Sequence, residues 1–215
     1  MTTIRPAILL LALAMFFSCH SAKDKSPNAF TPEEIDLVCD PRIVMRVLTV
    51  DSEADSLVLR EKCRDLSPKA LQSADYARLA VKMIATVTSP EQDGVGIAGP
   101  QVGLSRRVVA VQRFDKEGEP FEVYPNIRIT AVRGEKELGP EGCLSIPGRS
   151  GEVARYQDID ITYSKVIFRK SRLTGEPVPS GVKDTTETVK GYTAVIFQHE
   201  CDHLDGVLYT DYLED

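Results

Sequence analysis

His199 and His203, four residues apart with Glu200 beside the first, form an H-E-x-x-H pattern inside Gln198-His199-Glu200-Cys201-Asp202-His203-Leu204-Asp205-Gly206. On an α-helix, positions four apart share a face, so both imidazoles can turn toward one metal ion while Glu200 stands by as a general acid/base. The preceding Tyr192 to Phe197 are apolar nearly all round, which suits a helix buried on most sides. Burying two His, a Glu and an Asp needs a reason. Two core histidines bonded to backbone carbonyls, with Glu200 and Asp202 on a wet edge, would be the bland reading, and the specificity of the motif argues against it.

A metal site needs at least a third protein ligand. The chain has three histidines, and His20 lies in a leader-like stretch, so His199 and His203 exhaust the imidazoles. The acids after His203, namely Asp205, Asp211, Glu214 and Asp215, are too close or terminal. A Cys or carboxylate from upstream is therefore expected. Cys143, in Gly139-Pro140-Glu141-Gly142-Cys143-Leu144-Ser145-Ile146-Pro147-Gly148, sits where a Gly-rich stretch could present a thiolate. Cys201 is turned about 200° from His199 on a helix. Cys39 and Cys63 fall in unpatterned stretches and read as buried thiols.

The elements that must position these groups are partly legible. At 215 residues, 42% hydrophobic and 27% charged, the chain has the composition of one well-packed domain. A net charge of −6 argues against direct nucleic-acid binding, and five Cys at irregular spacing are no disulfide framework. Arg5, the apolar run Ala7 to Phe17, then Ser18-Cys19 resemble a lipoprotein signal in residues 1–19, too short to span a bilayer. That pattern implies a cell-envelope location with membrane attachment through Cys19; a cytoplasmic protein follows if the leader is not functional. Residues 20–50 read as a tether and a poorly patterned extension, and 51–215 as the catalytic domain.

Ser67-Pro68 opens a helix whose Tyr76, Ala80, Met83, Ile84 and Val87 share one side, and Ser89-Pro90 ends it. Gly94 to Gly103 superficially matches a dinucleotide fingerprint, but Pro100 and the lack of a following βαβ unit exclude one. This loop is a turn-rich connection or lines substrate; Gln101 within it could donate to an oxyanion. Arg107 to Gln112, Phe121 to Tyr124, Ile127 to Val132, Ile159 to Tyr163 and Val166 to Arg169 read as short strands. Strands follow strands without alternating helices, so antiparallel sheets are expected.

Three stretches in order, Gly94 to Gln101, Glu141 to Ser145 and Gln198 to Gly206, together with Gly206 to Asp211, resemble the motifs of the peptide deformylases. The resemblance runs from about Leu57 to Tyr212. It implies an α+β fold in which antiparallel sheets surround a central helix carrying the metal motif. It also implies one divalent ion on Cys143, His199 and His203, most often Fe²⁺, with Zn²⁺ or another first-row ion able to replace it. The substrate would be an N-formylmethionyl peptide, cut to formate and a free amino terminus. The backbone N–H of Leu144 and the amide of Gln101 would hold the oxyanion, and Glu200 would move the proton. Val95, Gly96 and Val195 would line the side-chain pocket, and Arg155 would steady Asp202 behind the ligands.

The chain departs from the family at Gly99, where Ala is usual and which could loosen the loop. It departs again at Tyr124-Pro125, where Asn-Pro is usual, and in stopping soon after Leu213, without the long C-terminal helix of many members. Two other readings are a metallopeptidase, which would need a downstream ligand in place of Cys143, and a lipid-anchored relative that has lost the reaction.

Overall fold

The computed structural model describes residues 26–213 apart from 173 and 176. The leader reading, Cys19 included, lies outside them. Among the described residues five α-helices, α1 (Pro32–Cys39), α2 (Glu53–Leu59), α3 (Pro68–Leu71), α4 (Ala74–Val87) and α5 (Tyr192–Leu204), surround two three-stranded sheets. One sheet is β1 (Gly96–Ala98), β2 (Val108–Gln112) and β3 (Phe121–Pro125); the other is β4 (Arg128–Cys143), β5 (Ile146–Lys170) and β6 (Pro177–Lys190). Every strand pairing in both sheets is antiparallel. The class is α+β.

Strand alternation explains where the core sits. On β2, Val109 and Val111 pack toward α5 with Ala194, Phe197 and Leu204, while Val108 and Ala110 pack toward α4 with Leu79, Met83 and Val87. The metal-motif helix is thereby clamped against sheet, and its Ala194, Phe197 and Leu204 are fully buried. Full burial of one such side chain contributes on the order of 1.5–3 kcal/mol.

The expected helix from Ser67 is in fact two. Ser67 Oγ caps Ala70 N at 3.0 Å, and Ser73 Oγ caps Tyr76 N at 3.2 Å, so a second N-cap restarts the chain at Ala74. The two separate strands read at Ile159 and Val166 are parts of the 25-residue β5. Strand β6 escaped the sequence because its faces are mostly exposed and polar, with no apolar alternation to betray it.

The extension over residues 20–50 is corrected from Asn28 onward. Thr31 and Glu34 form a reciprocal capping box that starts α1. Glu34 then meets the fully buried Arg106 at 2.7 and 2.8 Å. Met45 N donates to Thr86 Oγ1 (2.8 Å), Leu48 N to the Gln101 carbonyl (2.8 Å) and Val50 N to the Ser145 carbonyl (3.0 Å). This stretch is folded onto the domain, not strung outside it. Cys39, expected as a buried thiol, is instead half-buried on α1 and disulfide-bonded, whereas Cys63 is a buried free thiol as expected.

Candidate metal centre

Helix α5 enters from Gly191, whose φ of 63° is a left-handed backbone setting that suits glycine. One helical turn separates His199 from His203 along it. The β4/β5 hairpin brings the third group: Cys143 ends β4 and pairs across to Ile146, leaving Leu144 and Ser145 as the two-residue turn. One ligand atom from each of Cys143, His199 and His203 lies within 4.8 Å of the others. Cys143 Sγ is 3.2 Å from His203 Nε2.

The donor set fits a cation. Thiolate and imidazole sulfur and nitrogen suit Fe²⁺, Zn²⁺ and neighbouring first-row ions. His199 Nδ1 is held by Glu141 Oε2 at 2.8 Å, which leaves Nε2 for the ion. Burial drives the His203 imidazole well below its ordinary range, which favours the neutral form that a metal ligand needs. Cys143, His199 and His203 would hold the ion.

Glu141 had no assigned role in the sequence, although it stands two residues before Cys143. Its carboxylate also receives Arg155 Nε at 2.6 Å and Nη2 at 3.1 Å, and Arg155 Nη1 reaches Asp202 Oδ2 at 2.6 Å. The expected Arg155 and Asp202 partnership is thus present, with Glu141 as a further member. Burial works to raise the Glu141 pKa, yet the bonds from His199 and Arg155 outweigh it and hold the carboxyl at about 2. Tyr212 covers the Arg155 guanidinium at 4.7 Å from its ring centre.

Glu200 is buried, and its Oε2 has no hydrogen-bond partner among the described residues. Burial pushes its pKa up to about 7, near the value a proton carrier at neutral pH needs. Opposite it, Gln101 Oε1 accepts from Ala98 N at 2.8 Å. That bond fixes which end of the amide carries the donors: Nε2 faces Ser145 Oγ at 3.2 Å and Cys143 Sγ at 3.6 Å. Ser145 is a second residue to which the sequence reading gave no role.

The groups share a cleft of about 550 Å³, lined among others by Val95, Gly96, Gln101, Leu144, Val195 and Glu200. The glycine-rich loop is therefore both a short strand and a cleft wall. A Cβ on Gly96 would come 2.9 Å from Glu200 Cδ and from Ile196 Cγ2, so the close approach requires glycine. Gly99 does not loosen the loop, because a Cβ there would meet the Arg106 carbonyl at 2.5 Å and the Leu104 carbonyl at 2.7 Å. Tyr124 fills its site by packing edge-on against Tyr163 and Phe197 and by meeting Arg113 with its hydroxyl.

Residues 44–215 match the family model described as polypeptide deformylase. A peptide deformylase of Desulforudis audaxviator is 38% identical over 154 residues, covering 72% of this chain and 86% of its own. One of Leptospira biflexa is 32% identical over 164 residues, covering 73% and 83%. A class I type b peptide deformylase from Acinetobacter baumannii, solved with Met-Ala-Ser bound, superposes with a TM-score of 0.63 at 31% identity. That likeness covers 79% of this chain and 98% of the solved one. With the fold, the motif order and the extent of these matches in agreement, the chain belongs to the polypeptide deformylase family of hydrolases.

Proposed function

We propose that this chain removes the formyl group from the N-terminal formyl-methionine of newly synthesised polypeptides, using one divalent cation, Fe²⁺ in the first instance, on Cys143, His199 and His203. When bound there, the cation makes a water nucleophilic near neutral pH and polarises the scissile carbonyl. Glu200 takes the proton released as the C–O bond forms and passes it to the leaving amine, and its burial, which raises its proton affinity above that of an ordinary carboxylate, favours that shuttle. The Gln101 amide, oriented by Ala98 N, donates to the oxygen that gains charge, beside the Leu144 N–H. Val95, Gly96 and Val195 accept the methionine side chain along the cleft wall.

The observation that carries this reading is the convergence of Gln101, Cys143 and Glu200 on one cleft. The related A. baumannii enzyme with Met-Ala-Ser bound supports a peptide product of this kind. The test is anaerobic purification with metal analysis, then formate release from formyl-Met-Ala-Ser. Glu200→Ala should keep its metal and lose turnover by about 10²–10⁴-fold. Cleavage of an internal peptide bond instead, or full turnover in Glu200→Ala, would refute the assignment.

A membrane-attached form of the enzyme is the accompanying proposal, supported by Arg5, the apolar run Ala7 to Phe17 and Cys19. Mass spectrometry of the native N-terminus tests it: a lipidated Cys19 supports attachment, and an intact Met1 rejects it.

A further inference from the structure

Strands β5 and β6 continue past the core as a two-stranded arm. At its root Tyr163 and Ser164 are buried, and Val166 and Val182 still pack against the α4 side of the core. Farther out the surface changes character. Lys165, Arg169, Lys170, Arg172 and Lys183 are all exposed. Among the described residues the cations of this sheet that make ion pairs are Arg128, Arg133, Arg155 and Lys190, and no carboxylate lies within ion-pair reach of those five outer cations. Lys165 stands directly opposite Lys183, a like-charged cross-strand pair that costs stability in isolation. Between the cations, Phe168 is 58% exposed and Ile167 39%. The arm is thus basic and apolar at once on a chain whose net charge is −6.

The chain's N-terminal part meets the domain at the root of this arm: Ser67 N donates to the Asn28 carbonyl at 2.9 Å, and Leu66 N donates to Asn126 Oδ1 at 2.7 Å. Asn126 Nδ2 in turn donates to Ser164 Oγ on β5 at 3.2 Å. The apolar run Ala7 to Phe17 ends eleven residues before Asn28. That length spans at most about 40 Å. The arm and the point from which an apolar leader departs are on one side of the domain.

We propose that the outer arm, from Lys165 to Lys170 with Lys183, rests on an anionic lipid surface, the cations meeting headgroup phosphates while Phe168 and Ile167 enter the acyl boundary. Mixed Lys/Arg and apolar side chains are the recognition chemistry of such a surface, and the acidic remainder of the domain would be turned away from it. A nucleic acid could also meet the cations and stack on Phe168, but it would leave the exposed Ile167 uncovered, whereas a lipid surface takes up both apolar side chains. The inference is independent of the hydrolytic reaction.

The chain contains no Trp, so Phe168→Trp in the full-length protein places a single reporter on the arm. With phosphatidylglycerol vesicles its emission should shift to the blue and be quenched by brominated acyl chains. Phosphatidylcholine vesicles should leave it unchanged, and high salt should reverse the shift. In flotation, Lys165→Glu/Lys183→Glu should reduce partitioning onto phosphatidylglycerol vesicles by about thirtyfold or more. Unchanged Trp emission on both vesicle types overturns the proposal even if the protein floats, since the leader alone would then bind. A response to single-stranded RNA but not to vesicles overturns it in favour of a nucleic-acid partner.

Discussion

Glu141 Oε2 lies 2.8 Å from His199 Nδ1 while its other oxygen holds Arg155 Nε at 2.6 Å, so one buried carboxylate orients an imidazole of the proposed metal centre and is itself pinned by a cation. Partners behind a ligand histidine are generally worth about 10–100-fold in metal affinity. Glu141→Gln should weaken the metal by that factor, read by competition with a chromogenic chelator, while circular dichroism stays unchanged. Wild-type affinity in the variant would remove Glu141 from the design.

Gly99→Ala tests the opposite of looseness. Its new methyl group would press on two backbone carbonyls, Arg106 and Leu104, which cannot swing aside as a side chain would. Overpacking of this kind costs about 1–3 kcal/mol. The expected result is a lower denaturation midpoint in urea at unchanged m-value; an equal or higher midpoint would show that the loop can yield.

A buried Arg113 sets an acid limit on stability. Its guanidinium meets Asp115 at 2.7 Å and Glu187 at 2.9 Å, and lies 5.7 Å from the ring centres of Tyr124 and Phe197. The bond to Arg113 lowers the Asp115 pKa. Burial opposes ionisation of Glu187, but Tyr163 and Arg113 lower it on balance. Carboxyls depressed in the folded state contribute stability above their unfolded pKa of about 4 that fades as pH falls through the folded value. Wild type should therefore lose stability on acidification below about pH 4.5. Arg113→Met should be less stable at pH 7 and show a flatter acid limb, measured as Tm against pH.

Thiol reactivity should separate by burial. Cys63 and Cys201 are buried free thiols, and burial pushes both up to about 12. Neither should react with Ellman's reagent in the native protein at pH 8. Among the described residues, Cys143 is half-buried in the cleft and should be the free thiol that reacts in metal-depleted protein, with Zn²⁺ protecting it. Rapid labelling of Cys201 before Cys143 would contradict the packing of α5.

The centre was legible because its chemistry is local: His199, Glu200 and His203 lie within one turn and a half, and a scarcity of histidine directed attention to Cys143. The class of fold followed from strand succession. What stayed hidden depends on distant pairing. Glu141 acquires its role only when β4 lies beside α5, and Ser145 only when its hairpin meets the Gln101 loop. Strand β6 carries little apolar signal because much of it faces water, and α1 is too short and too polar for a periodicity to stand out. Gly99 looked permissive by residue type, whereas the surrounding carbonyls make it obligatory.

Leu48 and Val50 splint together two loops that have no sequence neighbourhood, one bearing Gln101 and the other Ser145. Any recombinant fragment begun at residue 51 would sever both rungs of that splint and let the donor amide drift from the thiol. The working unit of this enzyme therefore extends upstream of its motifs, and cutting it back to them would leave the ligands in place while unfastening the geometry between them.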